Sequence, residues 1–213
     1  MPMYVVFSLI GLVNLLMMGN LLPIMARSVQ RNVGNDGKDL ILEKRVFKIA
    51  QKCKTLALDT SSSKTGWAMF ENSKYKKSGV INFDTNECKK KYKGNPEQRL
   101  EDMCLAIINL LREYKPDIIV IEKLNVGRNM IAVRHLAKVI GVVYCYSILN
   151  DCFYYEIQTT QWRSQIGIQA KNRKRDDYKQ LAIEYVKNTL GMDVTDDEAD
   201  SICAGIGYIK MFT

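Results

Sequence analysis

A chain of 213 residues with 47% hydrophobic and 25% charged side chains carries enough apolar mass for one globular core plus some extra length, which excludes a disordered or fibrous protein. Its formal charge of +8 favours a polyanionic partner, because lysines and arginines laid on phosphates gain affinity by releasing condensed counterions. A single histidine, His135, excludes chemistry that rests on supported imidazoles, such as zinc nucleases, Ser-His-Asp hydrolases and Cys-His enzymes, so hydrolysis would fall to carboxylates and bound metal.

Residues 5–26 are apolar and long enough to cross a bilayer, although Asn14, Asn20 and Pro23 interrupt them. The cations that follow (Arg27, Arg31, Lys38, Lys44, Arg45, Lys48) would leave the remainder in the cytoplasm. Two readings stand side by side: a membrane anchor, or residues added by an upstream start codon. With the polar linker at 32–38, residues 1–50 form a segment distinct from a domain over residues 51–213. The six cysteines show no C-x-x-C spacing and read as reduced thiols of a cytoplasmic protein, with Cys104, Cys145 and Cys203 acting as small core hydrophobes in apolar helical runs. His135 stands in a helical run and is expected partly buried or at the surface.

From residue 54 onward strands and helices alternate. Residues 54–59, 66–70 and 78–83 predict three strands joined by short polar turns, an antiparallel meander. Residues 95–114 predict a helix capped by Asn95 with Pro96 at its first position and an apolar face of Leu100, Met103, Cys104, Ile107, Leu111 and Tyr114, stopped by Pro116. The apolar run DIIVIE at 117–122 has the length of a strand buried on both faces. Helices over 130–149, 176–190 and 195–211 and a fifth strand over 153–157 complete the order. That order allows an α/β fold with a mixed five-stranded sheet, a three-strand antiparallel meander plus parallel strands, with helices on both faces.

Three acidic features carry chemistry. Asp59 ends the first strand before the turn TSSS, where a carboxylate is as commonly a turn cap. Glu122 closes an otherwise apolar strand, where burial is costly unless the group is paired or binds a cation. Asp197 and Asp200, three apart in the last helix, share one face, which Ala199, Ile202, Cys203 and Ile206 would bury against the sheet. If the first and fourth strands are neighbours, the four carboxylates converge. A pair of Mg²⁺ ions about 3.5–4 Å apart would then offset their repulsion and assist an in-line phosphodiester displacement.

The order of these carboxylates, carried by LALDTSSSKTGWAMF, DIIVIEKLNVGRN and TDDEADSICAG, resembles the RuvC type of Holliday junction resolvase in the ribonuclease-H-like superfamily, over residues 54–212. HLAKVIGVVYCYS resembles that family's helix after the glutamate, and IQTTQWRSQIGIQAKNRKR stands where its basic segment lies. The stand-alone basic form is similar to versions carried by phages and other DNA viruses. The resemblance implies an endonuclease with Asp59, Glu122, Asp197 and Asp200 as catalytic and metal-binding residues, two Mg²⁺ ions that Mn²⁺ replaces, and no small-molecule cofactor. It further implies a homodimer that binds a four-way DNA junction and nicks two strands symmetrically, leaving ends that can be ligated. Residues 1–50 have no counterpart in that pattern, and Lys123, Leu124 and Asn125 lack the aromatic that some members use at the junction centre.

Charge suggests the phosphate contacts: the cluster Lys171, Arg173, Lys174 and Arg175, with Arg163 beside Trp162 and Arg128 after Glu122. A second cluster, Lys89, Lys90, Lys91 and Lys93, reads equally as a solvated basic loop. Within the fold, an actin-like or sugar-kinase-like ATP-binding domain also begins with a strand and a phosphate loop, yet it requires a second Asp-Gly loop and a glycine-rich adenosine site that the sequence lacks. Two alternatives remain open: a nuclease of the same fold acting on structured RNA, and a membrane-tethered nucleic-acid-binding module without catalysis.

Overall fold

The structure, a computed structural model, describes residues 53–124, 129–169 and 174–212. The apolar segment 5–26 and the linker 32–38 lie outside the described residues, as do Arg128, Lys171 and Arg173. Three strands open the domain, β1 (Lys54–Thr60), β2 (Lys64–Glu71) and β3 (Lys74–Asn82), paired antiparallel in sequence order. Ser61 ties the first turn: its hydroxyl accepts from the Lys64 amide at 2.8 Å and donates to the Lys64 carbonyl at 2.6 Å. Asn72 and Ser73 make the second turn, both with positive φ (53° and 63°), the backbone that matches the twist of a two-residue hairpin.

After the short helix α1 (Asn86–Lys91) comes α2 (Pro96–Tyr114), whose first turn is capped by the Asn95 side chain accepting from the Gln98 amide at 3.1 Å. It ends at Lys115 in the left-handed region, and the chain then enters β4 (Ile118–Glu122). Next come α3 (Met130–Leu149), β5 (Phe153–Ile157), α4 (Thr159–Ile166), α5 (Arg175–Leu190) and α6 (Asp196–Phe212). The sheet order is β3-β2-β1-β4-β5, with β4 parallel to β1 and β5 parallel to β4. This is the mixed five-stranded sheet expected, and the α2, α3 and β5 bounds fall where the sequence put them.

Strand alternation assigns the two faces. Leu56, Leu58, Trp67, Met69, Ile119 and Ile121 point one way and form a core with Leu100, Met103, Ile107, Leu110 and Leu111 of α2 and Val139 and Val143 of α3. Ala57, Asp59, Gly66, Ala68, Phe70, Val120 and Glu122 alternate with them and so face the other way. There α6 lies against the sheet: a side chain added at Gly205 would come within 2.2 Å of the Phe70 ring and 3.1 Å of Ala57 Cβ. The ring of Tyr208 meets that of Tyr155 at 5.1 Å on the same side.

Two short helices depart from the sequence expectation. α1 is a six-residue piece rich in lysine with no buried residue, and α4 spans eight residues capped by Gln158; neither is long enough to show a helical period. The Lys89–Lys91 cluster therefore lies on a helix rather than in a loop, with Lys89 paired to Asp84 at 3.2 Å and Lys91 to Asp102 at 2.9 Å. Cys145, expected in the core, is exposed, because the buried stripe of α3 runs through His135, Val139, Val143 and Ser147, leaving position 145 on the outer side. Cys203 is fully buried and Cys104 half-buried. His135 is buried on that stripe, its Nε2 3.2 Å from Glu97 Oε1. By length and composition α3 could cross a membrane, but its inner stripe belongs to the core.

Candidate active site

The register of β1 and β4 builds the site. Leu58 is level with Ile121, so the next residues along, Asp59 and Glu122, are level too and rise on the same face. Across the other ladder Asp59 is paired with Gly66, and a Cβ placed at Gly66 would lie 1.9 Å from the carbonyl oxygen of Asp197. Glycine at 66 is therefore what lets the first turn of α6 settle directly onto β2, beside Asp59, bringing Asp197 and Asp200 over the strand ends. A second tie fixes that turn: Ser78 Oγ on β3 donates to Glu198 Oε1 at 2.6 Å and is itself 2.7 Å from the Tyr75 hydroxyl.

The electrostatics record the convergence. Burial pushes the Asp59 carboxyl well above the usual carboxylate range, and the charges of Glu122, Asp200 and Asp197 push it further, against a downward pull from Lys179. Asp200 is pushed up to about 6, by burial first and then by Glu122, with Arg163 and Lys179 opposing. Its Oδ1 is buried with no hydrogen-bond partner. All four sequence-predicted carboxylates thus share one field. Among the described residues, no three acidic, histidine or cysteine side chains stand close enough to close on one ion as placed. The donor set nonetheless fits a hard divalent cation: it is all oxygen, it repels itself, and it holds a buried acceptor that nothing satisfies.

Two of the carboxylates have partners. Glu122 Oε1 accepts from Thr159 Oγ1 at the start of α4 at 2.6 Å, and Asp197 lies 3.8 Å from Lys64 Nζ. Of the expected phosphate contacts, Arg163 stands at the site: its guanidinium acts on Asp200 and is braced over the rings of Trp162 at 5.0 Å and Tyr178 at 4.2 Å. Lys174 caps the start of α5 and is exposed, and Arg175 is the first residue of that helix.

The model of the family "Crossover junction endodeoxyribonuclease RuvC" matches residues 55–202, a span that holds all four carboxylates. The chain belongs to the RuvC family. It is 25% identical over 169 residues to the crossover junction endodeoxyribonuclease RuvC of Hydrogenovibrio crunogenus, covering 78% of this chain and 92% of that protein. It is 26% identical over 158 residues to the enzyme of the same name from Brachyspira hyodysenteriae, covering 72% of this chain and 92% of that protein. Among solved structures, Thermus thermophilus RuvC in complex with Holliday junction substrate superposes with a TM-score of 0.55 at 12% identity, over 74% of this chain and 93% of that one. At that identity the likeness is one of fold, the ribonuclease-H-like fold of RuvC resolvases.

Sequence reasoning did not reach Thr159, Lys64, Gly66, Tyr178 or the pairing of Lys179 with Asp196. Of these only Gly66 left a signal, as a glycine inside a strand, which marks a close approach of another backbone. Replacing it tests the geometry: Gly66→Ala should lift α6 from β2, costing about 1–3 kcal/mol in chemical denaturation and weakening binding of Mn²⁺ measured by calorimetry.

The raised carboxyls also set a pH dependence. Because Asp59 and Asp200 hold protons more tightly folded than unfolded, they destabilise the metal-free protein at neutral pH, and stability returns as pH falls through about 6 for Asp200. Groups held low, such as Asp102 and Asp196, act only in more acid solution. Thermal melts in EDTA should therefore show a melting temperature rising from pH 7.5 to pH 5. Asp200→Asn should flatten that rise; an equal rise in the variant would sink this account.

Proposed function

We propose that this chain is a structure-specific endodeoxyribonuclease that resolves four-way DNA junctions by metal-assisted phosphodiester hydrolysis, with Asp59, Glu122, Asp197 and Asp200 as its metal-binding and catalytic residues. The observation that carries the reading is the meeting of these carboxylates, from three separate elements, inside the span that the family model matches. Bound there, a pair of Mg²⁺ ions would activate the attacking water and neutralise the leaving oxygen of an in-line displacement.

The chain's own residues do the rest. Asp59 on its strand and Asp200 on α6 supply oxygens, of which Asp200 Oδ1 is buried and without a hydrogen-bond partner. Thr159 holds Glu122 by one oxygen, leaving its other oxygen for the site. Arg163, braced over two rings, orients the scissile phosphate, and Lys174, Arg175, Arg128, Lys171 and Arg173 are the further candidate phosphate contacts. These contacts fix register on the nucleic acid and read no sequence.

Symmetric nicking of two strands calls for two copies of the site. The outer face of α3 suits a second copy: Met130, Tyr144, Ile148 and Leu149 are each at least half exposed, and a Cβ at Gly141 between them would meet nothing within 4 Å. The apolar part of this face, with exposed Arg134 beside it, would make a self-complementary twofold contact if both partners used it. Ile148→Glu should then convert a dimer to a folded monomer in light scattering, and should turn paired nicks into single ones.

The decisive assay incubates the protein with labelled four-way junction, linear duplex and structured RNA, with Mg²⁺ or EDTA. Paired nicks confined to the junction are expected, with ends a ligase can rejoin, and Asp200→Asn should slow them at least a hundredfold while junction binding survives. Cleavage of RNA in preference would transfer the same site to the RNA nuclease reading. Binding without cleavage in every metal would leave a non-catalytic module.

A further inference from the structure

Cations also bear on the carboxylate site, and three among the described residues differ in kind. Arg163 is fixed by the rings of Trp162 and Tyr178. Lys64 sits at the rim, 37% exposed and 3.8 Å from Asp197. Lys179, reaching in from α5, is 29% exposed and ion-paired to Asp196, the residue before Asp197. Lys179 opposes the upward shift of Asp59 and of Asp200 alike, and Arg163 opposes that of Asp200. The same ammonium holds Asp196 below the usual carboxylate range through their hydrogen bond.

That placement has a chemical consequence. An ammonium is a compact point charge on a flexible four-carbon stem, able to withdraw where a stacked guanidinium cannot. While no divalent cation is present, Lys179 is a mobile member of the set of charges, with Arg163 and Lys64, that makes the crowd of Asp59, Glu122, Asp197 and Asp200 tolerable. A divalent cation entering the same field meets that ammonium as a like charge, so one must give way to the other.

We propose that Lys179 is the resident counter-cation of the site, a positioning residue that steadies the carboxylates until a divalent cation displaces it, and so sets the concentration at which the site fills. The inference rests on the metal-dependent reading of the site given above. It separates two roles that a structural ion pair would merge. Breaking the Lys179–Asp196 pair from the lysine side removes a competitor of the metal, whereas breaking it from the aspartate side frees the lysine to compete and subtracts a negative charge.

The test uses the full chain, as wild type, Lys179→Gln, Lys179→Arg and Asp196→Asn, with Mn²⁺ binding followed by calorimetry and thermal melts in EDTA and in saturating Mn²⁺. For Lys179→Gln, half-saturation should move to about tenfold lower Mn²⁺. Its melting temperature should drop in EDTA and return to the wild-type value in saturating Mn²⁺. Asp196→Asn should move half-saturation several-fold the other way, and Lys179→Arg should stay near wild type. If Lys179→Gln folds only when Mn²⁺ is present, the same dependence appears in stronger form. Shifts of the same sign in Lys179→Gln and Asp196→Asn, or a melting loss that persists in saturating Mn²⁺, would make the pair merely structural and overturn the proposal. Failure of the wild type itself to bind Mn²⁺ or Mg²⁺ would instead bring down the metal-dependent reading on which it rests.

Discussion

Repulsion among Asp59, Glu122, Asp197 and Asp200 is the constraint to which the rest of the domain answers. Carboxylates gathered where water is scarce raise one another's proton affinity, and the shifts at Asp59 and Asp200 record how far that has gone. Left to itself such a cluster would push α6 away from the sheet. The helix is held down by contacts that do not depend on the cluster: the Ser78–Glu198 hydrogen bond, the close seat of Asp197 over Gly66, Phe70 packed at Gly205, and the paired rings of Tyr155 and Tyr208. A site of this kind stores unfavourable charge in the folded state and needs that scaffold to keep it.

The two faces of the sheet divide the labour accordingly. On the α2 and α3 side, Leu56, Leu58, Ile119 and Ile121 meet Met103, Ile107 and Leu111, all close to fully buried, and this large-residue core supplies most of the hydrophobic driving force. On the α6 side Gly66 lets the helix backbone at Asp197 come directly onto β2, Gly205 makes room for the Phe70 ring and Gly207 for Trp162 of α4, so side-chain positions are set tightly. Large residues there would build more apolar contact and would also lift Asp197 and Asp200 out of reach of Asp59. Glycines at 66, 205 and 207 on one face and the large-residue core on the other thus serve one arrangement.

Much of this was legible in the sequence, for reasons that are local. Asn95 with Pro96 fixes the start of α2, the continuous apolar run IIVI marks β4 as a buried strand, and an acidic residue ending such a strand is conspicuous because it is expensive. Asp59, Glu122, Asp197 and Asp200 follow from adding only that β1 and β4 are neighbours. What was not legible depends on the tertiary fold: Thr159 reaches Glu122 across 37 positions and Lys179 reaches Asp196 across 17, and neither residue is unusual in its own helix. Cys145 misled because α3 is apolar on its outer side as well as its inner one, so composition alone could not say which side is the core.

That doubly apolar helix bears on how a junction would be told from a duplex. One such carboxylate site would see a phosphodiester and its neighbours, and these are chemically alike in linear and branched DNA, so discrimination would not reside in the site alone. It requires a second set of contacts at a fixed distance and angle, which a branched substrate satisfies and a straight one does not. A twofold pairing through the outer face of α3 would supply such a set, because α3 packs on β1 and β5 and so ties that face rigidly to the sheet that carries Asp59. On this account the exposed Met130, Tyr144, Ile148 and Leu149 would act on specificity and the carboxylates on rate. The link between the two is the sheet itself.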